Sequence, residues 1–182
     1  MSELTVATRY AKSLIDLAKE QNALEQVRED MGLFVKTLKA SSELQAVLRN
    51  PIIAHDKKKK ILAAIFGDKV SKATSAFFDI MVNKSRAEIL FPTADEFVHQ
   101  YDVIKNIVRA TVVSAAPLSA ANLQTLTNEV KALTGGEVVL KAKVDPSLIG
   151  GFVLTIGDRQ IDTSVLASLN KVKKDFAQRV VQ

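Results

Sequence analysis

Two histidines and two acidic pairs are the side chains best suited to chemistry in this sequence, but their spacing does not build a site. His55 and His99 lie far apart, and the chain contains no cysteine. A structural zinc site needs four converging ligands, most often thiolates and imidazoles. Glu29-Asp30 and Asp95-Glu96 are adjacent residues, which diverge by about 100° on a helix, so we expect both pairs on solvated helix surface. We therefore predict no metal, no cofactor and no catalytic residue.

A glycine pair, Gly150-Gly151, is the one feature that could belong to a phosphate site. A P-loop needs a Gly-Lys-Ser/Thr ending, and the dinucleotide fingerprint needs a strand before its glycines and a helix after them. Here a run of β-formers, 152–156, follows the pair, which favours a bulge or a close backbone approach at a strand entry. Only these glycines favour a small-molecule enzyme.

The net charge of +5 invites a nucleic-acid hypothesis, but the excess is local. The run Lys57 to Lys60 accounts for four of these charges and precedes an apolar segment, so it is expected in the first turns of a short helix. No aromatic residues interleave with it, which favours a solvated helix face. The alternative is a basic helical nucleic-acid-binding protein that uses Lys57–Lys60, with an affinity that falls steeply with salt.

The compartment is indicated by what the sequence lacks. Absence of cysteine suits a reducing compartment, the first residues show no apolar signal core, and the apolar runs are too short to span a bilayer. These features predict a soluble protein of the cytoplasmic type, with no direct membrane insertion.

Apolar spacing divides the chain into a helical and a mixed part. Residues 1–106 repeat apolar side chains every three and four positions, which predicts a bundle of six helices. The expected helices are 3–20, 23–39, 42–49, 56–66, 70–83 and 87–106.

Residues 107–182 read as strand, helix, strand, strand, helix. The strands 138–144 and 152–156 are expected to form a hairpin around the Asp145-Pro146 turn, and Gly157-Asp158 to reverse the chain. The predicted fold class is α+β, with a six-helix bundle followed by a small mixed α/β domain. At about 75 residues the second domain is small for an independent core, so we expect it to be the less stable or to rely on a partner.

Two helices of the predicted bundle are apolar over more of their surface than one core face requires. Residues 4–18 place apolar side chains on an arc of about 180°, and residues 70–83 spread them around most of the helix. Two such helices could form a groove for an amphipathic helix of another protein. The alternative, that both are simply buried in the bundle, stays open. Val6, Tyr10 and Leu17 are the preferred exposed edge, because tyrosine suits a site with one apolar and one wet side.

Three sequence motifs match one protein family. They are Arg9 to Leu14 in the first helix, Asn83 to Arg86 leading into Leu90-Phe91-Pro92, and the segment Val144 to Asp158 followed by Ile161-Asp162. With these motifs the chain resembles the delta subunit of bacterial F-type ATP synthase, which corresponds to the mitochondrial oligomycin-sensitivity-conferral protein. The scaffold residues of the most specific motif are Asp145, Pro146, Gly150, Gly151, Gly157 and Asp158.

The resemblance implies a non-catalytic stator subunit that links the α3β3 head of the synthase to its peripheral stalk. It implies that the first and fifth helices bind the N-terminal helix of an α subunit and that the C-terminal domain meets the C-terminal end of the b subunits. It also implies a peripheral position at the cytoplasmic face of the bacterial inner membrane, with no nucleic acid. By analogy, the α-contact residues are Val6, Tyr10, Leu14, Leu17, Ala76, Phe77 and Ile80.

Overall fold

The computed structural model describes residues 3–180, with the side chains of 175 and 177–180 outside the description. Residues 1, 2, 181 and 182, which the predicted domains include, also lie outside it. The chain divides into two compact units, Met1–Ile104 and Lys105–Gln182, here called the helical unit and the mixed unit. The α+β fold class predicted from the sequence is confirmed.

The helical unit contains the six predicted helices, with one short 3₁₀ turn at Ala87–Ile89 before the last. Serine side chains cap the N-termini of two of these helices. Ser41 Oγ accepts a hydrogen bond from the Leu44 amide, and Ser71 Oγ accepts one from the Thr74 amide. The helices are α1 Glu3–Glu20, α2 Leu24–Ala40, α3 Ser42–Arg49, α4 His55–Phe66, α5 Lys72–Asn83 and α6 Leu90–Ile104.

A cluster of three aromatic rings lies in the core of the helical unit. Phe34 of α2 contacts Phe66 of α4 and Phe78 of α5, with ring centroids 5.2 and 4.6 Å apart. All three rings are buried, and tilted pairs of this kind add about 0.5–1.5 kcal/mol beyond area burial. The cluster packs one face of α5 against the bundle and does not include the apolar residues on the other face of α5.

The mixed unit is a four-stranded sheet with two helices. The strand order is β2-β1-β3-β4, with β2 parallel to β1 and the other neighbours antiparallel. The elements are β1 Ile107–Ser114, α7 Ala120–Thr134, β2 Glu137–Val144, β3 Phe152–Ile156, β4 Arg159–Asp162 and α8 Val165–Val180.

The predicted hairpin of β2 and β3 is wrong. Both strands pair with β1, which lies between them, because α7 carries the chain across the sheet so that β2 runs parallel to β1. The hairpin lies one strand later, where β3 turns into β4 at Gly157 with φ 55°. Strand β4 has four exposed residues and was not expected from the sequence.

The glycine pair lies where α8 begins, at a close approach of two backbone segments. Gly151 has φ 75°, and a Cβ there would lie 2.4 Å from the carbonyl oxygen of Thr163. At Gly150 a Cβ would lie 3.0 Å from Cγ2 of Val165, whose amide donates to the Gly150 carbonyl oxygen at 3.0 Å. The expected close backbone approach is confirmed, and its physical role is to seat the start of α8.

Candidate partner-binding surface

Helix α1 buries one face in the bundle and leaves an apolar edge beside it. Ala7, Ala11 and Ile15 are fully buried, whereas Leu4 and Leu17 are exposed. Between these classes, Val6 and Tyr10 are half-buried and pack against the core. Since Val6, Tyr10 and Leu17 fall within about 40° of one another at 100° per residue, they form one narrow strip along α1.

Helix α5 presents a second apolar strip. Ala76 and Ile80 are exposed, with 49% of Ile80 accessible, whereas Phe77 is buried at 8%. Ala73 is half-buried on the same side of the helix and packs against the core. The structure therefore distinguishes the residues at the surface, Ala76 and Ile80, from Phe77, which lies beneath them.

Helices α1 and α5 contact one another through two aromatic rings. The rings of Tyr10 and Phe77 lie edge to face, with centroids 6.5 Å apart, so the half-buried edge of α1 meets the buried ring that lies beside the exposed residues of α5. The guanidinium of Arg86 stands 5.6 Å from the centroid of the Tyr10 ring, in cation–π range. We call the surface formed by Val6, Tyr10, Leu17, Ala76 and Ile80 the α1/α5 surface.

Leu14 differs from the other predicted contact residues. Only 1% of its side chain is accessible, and it packs in the core of the helical unit. A bound helix would not touch it directly, so any part that Leu14 takes in binding is through the packing beneath the surface.

A buried carboxylate fixes the start of α5. Asp30 of α2 is 6% exposed, and its Oδ2 accepts hydrogen bonds from the Ser71 amide at 2.8 Å and the Thr74 hydroxyl at 2.7 Å. An acid that receives the free amides at a helix N-terminus also interacts favourably with the helix dipole. The expectation that Glu29-Asp30 lies on solvated surface is thus wrong for Asp30, because the side chain faces α5 rather than water.

The lysine run does not present four charges to solvent. Lys57 and Lys60 are exposed and Lys59 is half-buried, but Lys58 is 5% exposed and its Nζ donates to the Leu48 carbonyl oxygen at 2.8 Å. Burial lowers the pKa of Lys58, and the nearby Glu88 carboxylate opposes that shift. The amine donates its hydrogen bond to a carbonyl in the last turn of α3, so the solvated-face interpretation is wrong at Lys58. A nucleic-acid contact by the lysine run would therefore lose its second lysine.

The histidines do not converge with other ligands. His99 is exposed, and His55 Nε2 lies 3.3 Å from the Ser85 hydroxyl. Among the side chains that the structure describes, no group of three His, Cys, Asp or Glu is close enough to hold a metal ion. A cleft of about 290 Å³ lies between α4 and α5, lined by residues such as Leu62, Phe66 and Asp79, away from the α1/α5 surface.

Sequence reasoning missed the residues that support the surface. Asp30 was assigned to solvent because its neighbour Glu29 is polar, and the spacing that brings it to Ser71 spans 41 residues. Arg86 was noted only as part of a motif, although its position just after α5 places it over Tyr10. Neither contact has a local sequence signal, because both depend on how helices pack.

In the part of the chain that the structure describes, each helix is too short or too polar to cross a membrane.

The fold is that of an α+β protein in which a helical bundle with exposed apolar residues is followed by a small mixed α/β unit. Its sequence matches the model of the ATP synthase delta (OSCP) subunit family over residues 6–176. The chain belongs to that family. Membership makes it a structural subunit of the peripheral stalk of F-type ATP synthase, and the resemblance drawn from its motifs is confirmed.

Individual relatives agree along the whole chain. It is 39% identical to the ATP synthase subunit delta of Cytophaga hutchinsonii, over 100% of this chain and 99% of the relative. With the subunit delta of Alkaliphilus metalliredigens it shares 35% identity over the full length of both. Among solved structures, a chain of the Toxoplasma gondii mitochondrial ATP synthase hexamer has the same fold, with a TM-score of 0.70 and 23% identity over 94% of this chain and 97% of that one.

Proposed function

We propose that the α1/α5 surface binds the N-terminal helix of an α subunit and so ties the α3β3 head of the synthase to its stalk. The observation that carries the proposal is the edge-to-face contact of Tyr10 with Phe77, which joins two apolar strips on neighbouring helices. An amphipathic helix binds such a surface by inserting apolar residues spaced three and four apart. The residues that would meet it are Val6, Tyr10, Leu17, Ala76 and Ile80, supported from beneath by Leu14 and Phe77.

The apolar character of the surface suits a connection under mechanical load. Full burial of one leucine or isoleucine side chain contributes about 1.5–3 kcal/mol, and Leu17 and Ile80 are each about half exposed before binding. Burial of apolar area is not weakened by charge screening, whereas exposed ion pairs are screened by salt. Affinity built in this way resides mostly in a slow dissociation rate, which is the property a stator needs to resist torque.

We further propose that the chain acts as two domains, 1–106 and 107–182, with a divided task. The helical domain meets the α subunit, and the C-terminal domain meets the C-terminal end of the b subunits. In a bacterial cell this arrangement holds the protein at the cytoplasmic face of the inner membrane, as a peripheral member of the synthase.

Tyr10→Asp tests the α contact. A carboxylate in a desolvated apolar interface is expected to cost at least 2 kcal/mol, which is about a thirtyfold loss of affinity for an α N-terminal peptide. Thr8→Asp is the matched control, because Thr8 is exposed on the same helix about 160° from Tyr10 and receives the same charge. Both variants are compared with the parent chain by fluorescence anisotropy, with helix content checked by circular dichroism.

The pair of variants separates a specific contact from a change of net charge. The proposal requires Tyr10→Asp to lose affinity while Thr8→Asp stays within about threefold of the parent. Equal affinity of all three proteins would remove Tyr10 from the interface, and an equal loss in both variants would show that charge rather than position matters.

A further inference from the structure

A second cleft of the helical unit, of about 270 Å³, brings together the end of α3, the start of α4 and the turn that follows α5. Its size is close to the lower limit of small-molecule pockets. Its polar lining consists of Arg49, His55, Lys58, Ser85 and Glu88. None of these residues belongs to the α1/α5 surface, so the cleft is separate from the proposed α contact.

The cleft carries an excess of positive charge. Arg49 and Lys58 each bring a positive charge to its lining, and Glu88 brings a negative one. Glu88 acts on Lys58, whose buried Nζ also donates to the Leu48 carbonyl oxygen, so the charge of this lysine is compensated. Arg49 is exposed, and among the described side chains no carboxylate forms an ion pair with its guanidinium. One guanidinium is therefore available to an anion in the cleft.

Ser85 occupies a backbone position at which glycine is the usual residue. It follows α5 with φ 58°, and the Arg86 amide donates to the Met81 carbonyl oxygen at 2.9 Å, as in a Schellman C-cap. Glycine would adopt this φ with less strain. The serine hydroxyl instead lies 3.3 Å from Nε2 of His55, across the same cleft. Strained residues are common at functional sites, and a hydroxyl that contacts one partner can still donate to or accept from a second.

These side chains match the chemistry of a phosphate group. A guanidinium binds phosphate with two parallel hydrogen bonds, and a hydroxyl and an imidazole supply further donors. Three donor groups suit the three terminal oxygens of a phosphate monoester better than the two oxygens of a carboxylate. Pro51 and Ile53 add apolar lining, against which the organic part of such a ligand can pack.

We propose that this cleft binds a small phosphate monoester. The phosphate group pairs with Arg49 and receives hydrogen bonds from Ser85 and His55, and the organic part lies against Pro51 and Ile53. The site is independent of the proposed stator function, because it shares no residue with the α1/α5 surface.

The test titrates glycerol 3-phosphate and inorganic phosphate into the ¹⁵N-labelled full chain and follows the amide shifts by NMR. Arg49→Gln removes the unpaired charge and is expected to weaken binding of glycerol 3-phosphate by about tenfold or more. Lys57→Gln is the matched control, because Lys57 is an exposed residue of α4 outside the lining of the cleft and loses the same charge. It is expected to change the affinity by less than about threefold.

Ser85→Gly separates a ligand contact from a structural role. Glycine fits the positive φ, so the melting temperature is expected to stay the same or to rise. Loss of the hydroxyl is expected to weaken glycerol 3-phosphate binding by about threefold or more. Unchanged affinity in this variant would overturn the contact assigned to Ser85.

The remaining outcomes decide the site and its ligand. Absence of glycerol 3-phosphate binding by the parent chain overturns the proposal, and so do equal losses in Arg49→Gln and Lys57→Gln, which would reflect net charge alone. Inorganic phosphate that binds as tightly as glycerol 3-phosphate overturns the monoester and assigns the cleft to the free ion. Affinity for an α N-terminal peptide is expected to be the same in Arg49→Gln as in the parent chain.

Discussion

Replacement of Asp30 by alanine tests how the bundle holds the α1/α5 surface. The Asp30 carboxylate accepts hydrogen bonds from both the Ser71 amide and the Thr74 hydroxyl, and the residue is 6% exposed. Its removal leaves the first turn of α5 without the acid that caps it from α2. The helix that carries Ile80 is then expected to fray from its start.

The expected magnitude follows from the two hydrogen bonds. Each hydrogen bond to a charged group contributes about 1.5–3 kcal/mol net, and the relief of desolvating the carboxylate offsets part of the total. We expect Asp30→Ala to lower the free energy of unfolding of the helical unit by about 3 kcal/mol. For a domain of about 100 residues this corresponds to roughly 15 °C in Tm. Asp30→Asn, which keeps the shape and an acceptor oxygen, is expected to lose about half as much.

The assay is thermal and urea unfolding of the full chain, followed by circular dichroism at the helical band. Glu29→Ala is the matched control, because Glu29 is exposed on the same helix and its loss is expected to cost less than ~0.5 kcal/mol. If Asp30→Ala and Glu29→Ala unfold at the same temperature, the Asp30 contacts do not stabilise α5 and the reasoning fails.

Three further predictions concern other contacts. Gly151→Ala is expected to destabilise the mixed unit by several kcal/mol more than Gly135→Ala. Both glycines have positive φ, but only at Gly151 would an added Cβ meet backbone atoms within 4 Å. Urea unfolding of both variants checks this. The pKa of Asp162 is lowered mainly by a hydrogen bond from the Ser164 hydroxyl and next by one from the Ser164 amide. Their stabilising effect is therefore complete above pH ~4 and is lost as pH falls through the lowered pKa. Ser164→Ala should move the titration of the Asp162 carboxyl, measured by NMR, back toward pH ~4. Lys58→Met should change the stability of the protein more than Lys60→Met, because only the Lys58 amine is buried and hydrogen-bonded. Unaltered stability of Lys58→Met in a thermal melt would show that the buried amine is dispensable.

The helices could be predicted from the sequence because each carries its own local signals. Apolar spacing predicted α1 and α3 at the residues where the structure has them. Ser41 caps α3 by accepting a hydrogen bond from the amide of Leu44, three residues later. Strand order could not be predicted in the same way. The segments of β2 and β3 look alike whether they pair with one another or both pair with β1, and only the crossover through α7 decides between the two.

The sequence indicated which helices carry the candidate surface, but not which of their apolar residues are exposed there. The wide apolar arc of α1 includes residues that the bundle does not cover, since Leu17 is exposed while Ile15 is buried, and a role of this edge in binding stays a prediction. The arc does not tell which apolar residues turn inward, so Leu14 was grouped with Tyr10 although only Tyr10 reaches the surface. Burial of Asp30 and Lys58 depends on helix packing, and a polar residue in a helical sequence is read as solvated until its partner is known.

Hydrogen–deuterium exchange of the full chain, alone and assembled with α3β3, tests the central claim most directly. Amide exchange reports the opening of each segment, so a bound helix should slow exchange where it docks. We expect added protection in α1 and α5, around Tyr10 and Ile80, and unchanged exchange in α8. Protection confined to α4 at the lysine run, or to residues 105–180, would contradict it.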